Sequence, residues 1–455
     1  MNYKEAVKEL RREPLLLRNR LYSILVDAQY VEQFAALQLP LVANERCGFW
    51  YVKPHLLRET AYFKSTDGHT GQWKFSLRRL NFHLLPLFKE FGGIVLVDST
   101  RKGKLIPDAL SKTVPIWCAV LNYVMFEGQE TKWDAQKDCW LRTPREMVSE
   151  SEHCVIVERI PQFAEELKRL GLISKKKLIE KLGALKPLVP LWRYPGQKVQ
   201  NQTSSDYFVV MCVTASAVSL SESTPHFHYV QGAADDHELW ATSEVCNGNL
   251  DAKLFWEMLS CENEELRVID PHTGNLFNWL SDGELVKRLN EIYKGRVMAQ
   301  QSPLELTALG ETGIFIGAID RDLSAKEVDQ FDAVVVLSDK HRTDSDENKK
   351  CRVLKYMVED GKLGSKKLRT LLPQIMGAVA DCRTVLVLCN SGKDLSVGVV
   401  LCILCQRFDT SWKSSSSHLV NKDVIKQHLG KIADYTKINP SRNTLQSVNT
   451  FLMGR

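Results

Sequence analysis

The sequence predicts an α/β fold in two domains. Apolar runs at residues 94–97, 208–216 and 384–389 have the continuous hydrophobic character of strands that are buried on both faces of a sheet. Segments with helical spacing of apolar residues separate these runs, and such alternation is typical of parallel sheets. A chain of 455 residues is also longer than a single core usually allows. We therefore predict an N-terminal domain over residues 1–298 and a C-terminal domain over 299–455.

The individual elements follow from periodicity and from turn residues. Helices are predicted over residues 1–38, and the sequences GFWYV and ETAYF predict two short strands after them. Apolar residues at helical spacing over 71–91 predict an amphipathic helix that ends at Gly92, and a further helix is predicted over 114–125. In the C-terminal domain, GIFIGAI and FDAVVVLS predict strands, and residues 365–379 predict a helix.

Composition excludes some classes of protein. Hydrophobic residues make up 44% and charged residues 25% of the chain, which rules out a fibrous or wholly disordered protein. The net charge of +5 is compatible with a polyanionic partner but does not identify one. The twelve cysteines are scattered singly, the charged start MNYKEAVKELRRE has no signal-peptide core, and the longest apolar run, 396–405, is too short to cross a membrane. We expect a soluble cytoplasmic protein without a membrane partner.

A strand, a glycine-bearing loop and an apolar helix follow one another in VLVLCNSGKDLSVGVVLCIL, at residues 385–404. This order directs backbone N–H groups and a helix N-terminus to one point, which predicts a phosphate-binding loop. The predicted loop residues are Cys389, Asn390, Ser391, Gly392, Lys393, Asp394 and Ser396. The loop resembles the Cys-x5-Arg signature of the protein tyrosine and dual-specificity phosphatases. Leu395 stands where those enzymes need the arginine that grips the phosphoryl oxygens, so phosphatase activity is not expected. Either the loop binds phosphate without catalysis, or the domain serves folding or contact with a polyanionic partner.

The first half of the chain contains a looser version of the same pattern. In GGIVLVDSTRKGKLIPDALSKTVPIWCAVL, at 92–121, a strand, a basic loop and an apolar helix recur, and Ser99 takes the place of the phosphatase cysteine. Upstream, KSTDGH at 64–69 occupies the place of the phosphatase acid loop. These positions suggest that the N-terminal domain is a second phosphatase-like core with insertions, retooled for another reaction.

The basic loop and the acid loop supply the candidate active-site residues. Hydroxyls, cations and a glycine at the end of a buried strand suit a polyphosphate. The predicted substrate-binding residues are Lys64, Ser65, His69, Ser99, Thr100, Arg101, Lys102, Gly103 and Lys104. Asp67 and Asp98 are the candidate catalytic carboxylates, acting as a general base or positioning a ribose hydroxyl. The alternatives are a solvated basic turn for the loop and turn or N-cap roles for the two aspartates.

A third motif, GAADDHELW, contains adjacent carboxylates at Asp235 and Asp236. Mg²⁺ prefers one or two carboxylates together with substrate phosphates, so these residues are the predicted metal ligands. The alternatives are an acidic loop that opens a helix, and a transition-metal site formed by Asp235 with His226 and His228 on one face of a strand.

These motifs together are similar to those of the initiator-tRNA phosphoribosyl transferase family. The resemblance rests on FKSTDGHTGQW, DSTRKGKLIPDALSKTVPIWCAVLN, YVQGAADDHELW and the phosphatase-like C-terminal segment, and it covers nearly the whole chain. One departure is small: Ala234 stands where the family pattern has glycine. The resemblance implies transfer of ribosyl phosphate from phosphoribosyl pyrophosphate to the 2′-hydroxyl of the adenosine at tRNA position 64, with Mg²⁺ as cofactor and no obligate protein partner.

The resemblance also implies contact with the T stem of initiator tRNA, through its minor groove and phosphates. The candidate tRNA-binding residues are Arg78, Arg79, Lys175, Lys176, Lys177, Lys366, Lys367 and Arg369, each weighed against a simple solvated surface. Two other classes remain open. A tRNA-binding protein without catalysis would need no pyrophosphate site, and a phosphatase would hydrolyse a generic aryl phosphate, against which Leu395 argues.

Overall fold

The computed structural model describes residues 16–45, 47–128, 140–200, 204–220, 226–234, 245–248, 250–299, 304–319, 321–339, 351–415 and 419–454. The chain forms two compact units. Unit 1 comprises Met1–Phe75, Leu84–Glu166 and Ser174–Gln301, and unit 2 comprises Ser76–His83, Leu167–Ile173 and Ser302–Arg455. The main division therefore lies between Gln301 and Ser302, and two short segments of the first half belong to unit 2.

Unit 1 is built on a parallel sheet of five strands. The strands are β1 Leu41–Asn44, β2 Leu57–Ala61, β3 Gly93–Asp98, β4 Leu188–Arg193 and β5 Phe208–Thr214. They are arranged in the order β2-β1-β3-β5-β4, and every neighbouring pair is parallel. All residues of β3 and β5 are buried, as the continuous apolar sequences require. The carboxyl ends of β1, β3 and β5 consequently lie side by side at one edge.

Helices cover both faces of this sheet. The helices between Leu17 and Ala299 are α1 Leu17–Glu32, α2 Leu85–Phe91, α3 Val114–Phe126, α4 Glu150–Val157, α5 Ile160–Arg169, α6 Lys175–Leu182, α7 Ala252–Leu259 and α8 Asp282–Ala299. All belong to unit 1 except for the last three residues of α5, which belong to unit 2. The core on one face joins α1, α7 and α8 to Val95, Val97 and Met211 of the sheet. A single π-helical turn, Ala109–Thr113, leads into α3, which is buried over nearly its whole length.

Unit 2 has a second five-stranded sheet. Its strands are β6 Leu306–Ala308, β7 Ile314–Ala318, β8 Ala333–Leu337, β9 Arg352–Tyr356 and β10 Val385–Cys389, in the order β6-β7-β10-β8-β9. Only the pairing of β6 with β7 is antiparallel among these strands. The central strand β10 is fully buried and ends at Cys389.

The helices of unit 2 are α9 Ala325–Val328, α10 Lys362–Val379, α11 Leu395–Arg407, α12 Lys422–Tyr435 and α13 Arg442–Met453. On one face of the sheet, α10 to α13 pack against Val335, Val385 and Val387. A smaller apolar cluster on the other face contains Val328 of α9 and Leu386 of β10. The prediction of an α/β fold with a strand, loop and apolar helix at residues 385–404 is confirmed.

The predicted amphipathic helix over 71–91 is wrong for most of its length. Only Leu85–Phe91 is α-helical, preceded by a 3-10 turn at Phe82–Leu84. Gly71 and Asn81 have φ angles of 76° and 52°, and this left-handed backbone cannot continue a right-handed helix. Trp73 is nevertheless buried, because the loop packs its apolar side chains without helical geometry.

The segment GFWYV was predicted as a strand, and it forms a 3-10 helix over Gly48–Tyr51 instead. Gly48 lies so close to β3 that a Cβ atom there would approach the Val97 carbonyl oxygen to 1.9 Å. This turn therefore packs directly against the central strand β3. The histidines His226 and His228 are likewise not on a strand, because residues 226–230 carry no regular secondary structure.

Within the described residues, one helical stretch is long and apolar enough to cross a membrane. It is Ala109–Phe126, and 94% of it is buried inside the protein. Such burial is typical of the central helix of a folded core.

Candidate functional site

A cleft of about 360 Å³ opens in unit 1 at the carboxyl ends of the central strands. Its lining residues are Cys47, Ser65, Thr66, His69, Asp98, Ser99, Thr100, Arg101, Lys102, Lys104, Pro107, Asp108 and Gly232. Ligands of open parallel sheets bind at this edge, where the strands end and the loops begin. The structure therefore brings the basic loop and the acid loop of the sequence together in one place.

Asp98 is the last residue of β3 and lies at the floor of the cleft. Its side chain is almost entirely buried, and its Oδ2 atom accepts a hydrogen bond of 2.8 Å from Nδ2 of Asn44. Asn44 ends the neighbouring strand β1 and is itself fixed by two hydrogen bonds of 2.9 Å to the backbone of Phe63. The carboxylate of Asp98 thus has one orientation set by the adjacent strand.

The basic loop after β3 is held in shape by its backbone. Lys102 and Gly103 both have positive φ, 59° and 72°, and the Lys104 N–H reaches the Arg101 carbonyl at 3.4 Å. Two successive left-handed residues define a tight type I′ turn, which glycine adopts without strain. Arg101, Lys102 and Lys104 of this turn all line the cleft.

Two other segments of unit 1 anchor this loop. The hydroxyl of Ser216, just after β5, donates to the Thr100 carbonyl at 2.8 Å and accepts from the Thr100 N–H at 3.1 Å. The Gln231 side chain accepts from the Gly103 N–H at 2.7 Å and donates to the Lys104 carbonyl at 2.9 Å. The loop therefore has a defined geometry before any ligand arrives.

Asp108 is the principal cleft residue that the sequence interpretation missed. Its Oδ2 atom lies 2.7 Å from Nδ1 of His69 and 3.2 Å from Nζ of Lys104, and its Oδ1 atom lies 3.3 Å from Nζ of Lys112. Burial alone would raise the pKa of Asp108, but Lys112, Lys104 and the hydrogen bond with His69 together hold it below its usual value. Asp108 therefore carries a negative charge surrounded by cationic or hydrogen-bonding groups.

Ser65, Thr66 and His69 contribute a second part of the cleft lining. Ser65–Gly68 is a 3-10 turn, and a Cβ on Gly68 would approach the Asp108 carbonyl oxygen to 2.7 Å, so only glycine allows this contact. Lys64 contributes its carbonyl oxygen to a 3.1 Å bond with the Thr113 hydroxyl. Asp67 is not among the residues that line the cleft, and its catalytic role stays a prediction.

The predicted metal ligands Asp235 and Asp236 lie outside the described residues, which end at Ala234 on that side. Gly232, three residues before Asp235, lines the cleft and has a φ of 65°. A Cβ on Gly232 would approach the Thr100 carbonyl oxygen to 2.4 Å, so this segment packs directly on the basic loop. In the described part of the chain, no group of three or more metal-ligating side chains is present.

The candidate tRNA-binding residues fall on both units. Lys175, Lys176 and Lys177 begin α6 of unit 1, where the Lys175 ammonium group donates to the Glu127 carbonyl at 3.1 Å. In unit 2, Lys366, Lys367 and Arg369 are exposed on α10. Arg78 and Arg79 belong to the segment of unit 2 at Ser76–His83, and Nε of Arg79 donates to the Asn439 side chain at 2.9 Å.

The C-terminal loop after β10 keeps a compact turn around Cys389. The fully buried Cys389 thiol lies 3.1 Å from the Ser396 hydroxyl and 3.7 Å from the Ser391 hydroxyl. Gly392 has a φ of 66°, and a Cβ there would approach the Ala318 nitrogen to 2.7 Å. Leu395 begins α11 with its side chain fully buried.

Carboxylates surround this loop. The Asn390 amide donates to Asp339 at 3.2 Å and to Asp360 at 3.0 Å, and Asp394 accepts from the Ser441 N–H at 2.8 Å. Burial, with a smaller contribution from the charge of Asp360, raises the pKa of Asp394. An anion at this loop would therefore meet negative as well as positive groups.

The fold and the cleft together define a two-unit α/β protein whose first unit presents a cationic loop at the end of a parallel sheet. Residues 10–276 match the family described as the Rit1 N-terminal domain, and residues 352–452 match the Rit1 DUSP-like domain. The chain belongs to the Rit1 family.

Individual relatives agree with this assignment. A Saccharomyces cerevisiae protein named tRNA A64-2′-O-ribosylphosphate transferase is 36% identical over 98% of this chain and 94% of its own length. A Schizosaccharomyces pombe protein is 34% identical over 99% of this chain and 97% of its own length. Both matches are nearly full-length.

Solved structures resemble about one third of the chain. The Yvh1 phosphatase domain from Chaetomium thermophilum has 19% identity and a TM-score of 0.26, and the match covers 33% of this chain and 97% of that domain. A mouse putative dual specificity phosphatase has 14% identity and a TM-score of 0.24, and the match covers 34% and 91% of the two chains.

Proposed function

We propose that this protein transfers a 5-phosphoribosyl group from phosphoribosyl pyrophosphate to the 2′-hydroxyl of the adenosine at position 64 of initiator tRNA. The observation that carries the proposal is the 36% identity, over 98% of the chain, to a tRNA A64-2′-O-ribosylphosphate transferase. The cleft of unit 1 supports it, because three basic residues of one loop face a space large enough for a sugar phosphate.

The reaction breaks the bond between the anomeric carbon and pyrophosphate and forms a bond to the tRNA oxygen. Its transition state resembles an oxocarbenium ion, as in glycoside cleavage, so negative charge accumulates on the departing pyrophosphate. Arg101, Lys102 and Lys104 supply positive charge where that leaving group is proposed to lie, and arginine can hold two phosphate oxygens at once. The preformed turn keeps these groups in place, so little reorganisation is needed during the reaction.

Asp98 is proposed to position a hydroxyl of the donor ribose. Its Oδ2 atom is already held by Asn44, which fixes the carboxylate plane at the floor of the cleft. A fixed acceptor suits a hydroxyl group, whose hydrogen rotates to find it. The catalytic role predicted for Asp67 receives no support from the cleft, which Asp67 does not line.

Mg²⁺ is proposed as the cofactor, with Asp235 and Asp236 as its protein ligands. Mg²⁺ keeps several waters and is usually held by one or two carboxylates with substrate phosphates, so a pair of adjacent aspartates is a suitable donor set. Gly232 contacts the basic loop, and Asp235 follows it by three residues. Because an extended chain spans at most about 3.6 Å per residue, Asp235 cannot be far from that loop, and this supports the proposal. When bound, the ion would neutralise pyrophosphate charge.

The T stem of initiator tRNA is proposed as the acceptor, in the cytoplasm. A duplex exposes its 2′-hydroxyls in a shallow minor groove and is recognised mainly through shape and phosphates. Lys176 and Lys177 on α6 and Lys366, Lys367 and Arg369 on α10 are exposed. They are candidates for these phosphate contacts, together with Lys175, Arg78 and Arg79. Measurements of tRNA affinity against salt concentration would show which of them contact tRNA. Each phosphate contact makes the affinity fall more steeply as the salt concentration rises.

The test is a transfer assay with purified full-length protein, initiator tRNA, phosphoribosyl pyrophosphate and Mg²⁺. We expect pyrophosphate release that requires both substrates, and a product with one added ribosyl phosphate at adenosine 64. Omission of each component and an initiator tRNA with a 2′-O-methyl group at position 64 serve as controls. A protein that binds tRNA without releasing pyrophosphate would contradict the proposal and favour a non-catalytic binding protein. Hydrolysis of an aryl phosphate would favour a phosphatase.

A further inference from the structure

His69 and Asp108 form a hydrogen-bonded pair in the cleft of unit 1. Nδ1 of His69 lies 2.7 Å from Oδ2 of Asp108, although 39 residues separate them in the sequence. The two side chains differ in exposure: 50% of the imidazole surface is exposed and 10% of the Asp108 carboxylate. The imidazole is therefore accessible to a substrate, while its partner is held inside the wall.

The charge state of Asp108 sets the orientation of the imidazole. Lys112 and Lys104 help to keep the pKa of Asp108 below its usual value, despite the burial that opposes them. An ionised carboxylate only accepts hydrogen bonds, so the proton between the two residues belongs to Nδ1 of His69. In the neutral ring, Nε2 is then the unprotonated nitrogen, and it lies on the side of the ring away from Asp108.

We propose that His69 is the general base of the transfer reaction and that Asp108 positions it; this rests on the proposed function. The tRNA 2′-oxygen forms a bond to the anomeric carbon of the donor, and its proton passes to Nε2 of His69. The bond from that carbon to pyrophosphate breaks, and pyrophosphate leaves with the electron pair. The imidazolium that results is stabilised by the negative charge of Asp108, and the proton returns to solvent afterwards.

The carboxylates predicted from sequence suit this task less well. Asp98 is only 2% exposed, and its Oδ2 atom is already engaged by Asn44. Asp67 does not line the cleft. His69 is half-exposed beside the basic loop, and imidazole titrates nearest to neutral pH of the common side chains.

Other charged groups lie around the pair of His69 and Asp108. Lys104 and Lys112 contact the same carboxylate, and Arg101 and Lys102 line the cleft with it. On α4, Glu152 accepts hydrogen bonds from the Thr70 hydroxyl at 3.0 Å and from Lys112 at 3.3 Å. These groups belong to the β3–α3 connection and to α4, and Glu152 fixes the residue next to His69.

The experiment compares His69→Gln, Asp108→Asn and the control His272→Gln, a histidine exposed elsewhere on unit 1. Single-turnover rate constants are measured across the neutral pH range at saturating donor and tRNA, with donor affinity measured separately. For His69→Gln we expect a loss of about 10²–10⁴-fold in the rate constant, with donor affinity preserved and the ascending limb of the pH profile absent. Imidazole in solution should restore activity to His69→Gly.

Asp108→Asn should lower the rate constant and move the ascending limb to lower pH, because the imidazolium loses its neighbouring negative charge. A merely structural role for Asp108 would lower activity equally at every pH, and this would overturn the positioning role. Thermal unfolding verifies that each variant is folded.

The proposal is overturned if His69→Gln keeps the wild-type rate constant and pH profile. It is also overturned if the variant loses only donor affinity, since His69 would then be a binding residue. A wild-type protein that releases no pyrophosphate with both substrates would contradict the proposed function itself, and the dyad with it. The His272→Gln control separates these outcomes from a general effect of replacing a histidine.

Discussion

At the scale of single residues, the cleft contains two kinds of group. Arg101, Lys102 and Lys104 carry positive charge, and His69 is the proposed general base. Arg101 and Lys102 extend from a turn whose backbone is fixed by Ser216 and Gln231. Lys104 also lines the cleft, and its ammonium group forms an ion pair with Asp108. Removal of Lys104 should therefore affect Asp108 as well as the leaving group.

We expect both Arg101→Ala and Lys104→Ala to reduce transfer without unfolding the protein. Each lost charge-assisted contact with the leaving group should cost about 1.5–3 kcal/mol, or one to two decades in the rate constant. Lys104→Ala should also alter the pH profile, since it removes a cation from Asp108. The matched control is Arg58→Ala, which removes an exposed cation from β2 outside the cleft. Near-wild-type transfer by both cleft variants would place the leaving group elsewhere.

At the scale of elements, the polar face of α1 holds the segment that reaches the cleft. Asn19 accepts from the His228 N–H at 3.1 Å, Ser23 accepts from the Val230 N–H at 2.8 Å, and Asp27 accepts from the Tyr229 hydroxyl at 2.8 Å. These three residues are almost fully buried and lie at helical spacing. The helix therefore determines where the chain enters the cleft at Gly232.

We expect Asp27→Asn to stabilise the protein increasingly as the pH rises. Burial raises the pKa of Asp27 well above its usual value of 3.8, against the opposing hydrogen bonds of Tyr229 and Ala217. Because the folded state favours the protonated form, ionisation of the unfolded chain progressively lowers wild-type stability as the pH increases above that value. Asparagine keeps an oxygen for the Tyr229 hydroxyl and does not titrate.

Thermal unfolding of both proteins against pH checks this expectation, with the exposed Glu264→Gln as control. The difference in midpoint should be smallest in acid and grow toward neutral pH. A difference that does not vary with pH would show that Asp27 is ionised in the folded protein.

The sequence predicted those elements whose patterns are local. The strands β3, β5 and β10 are continuously apolar because both of their faces are covered, and a buried strand needs no other signal. The edge strand β4 was missed because Pro190 interrupts its sequence, and proline is tolerated at an edge that lacks a partner for its nitrogen.

The position of the candidate site was also predictable in part from the sequence. The basic loop follows a buried strand, and this order alone indicated its position at the sheet edge. The pairing of His69 with Asp108 was not predictable, since it depends on the close approach of Gly68 to the backbone of a residue 39 positions beyond His69 in the chain. Asp108 itself looks like an ordinary residue before a helix.

At the scale of the whole molecule, the two units share a local strand–loop–helix arrangement and differ in strand connectivity and in charge. Each has a loop between a central strand and an apolar helix, at β3 and at β10. The first sheet places that strand third in its chain order, and the second places it last, so the likeness does not extend to strand connectivity. The first loop presents cations, whereas Asp339 and Asp360 contact the second through Asn390. This contrast favours unit 1 as the location of the chemistry. Variants in the second loop can test whether unit 2 contributes to transfer.

The C-terminal loop after β10 is proposed to bind a phosphate group. If it binds a donor or tRNA phosphate, Cys389→Ser should be tolerated, because the backbone donors remain and the thiol lies within reach of the Ser391 and Ser396 hydroxyls, which a serine hydroxyl can also contact. Lys393→Glu should reduce transfer, because it adds negative charge to a loop already near Asp360 and Asp394. Lys422→Glu, an equal charge change at the exposed start of α12, is the matched control.

Transfer by the three variants is compared at one salt concentration, after each is shown to be folded. An inactive Cys389→Ser protein would give the thiol a chemical role, since a hydroxyl of similar size differs from it mainly in acidity and nucleophilicity. A fully active Lys393→Glu protein would mean that the loop binds no phosphate during the reaction. Unit 2 would then act as a scaffold or through other surfaces, because a loop that accepts a reversed charge without loss cannot be holding an anion.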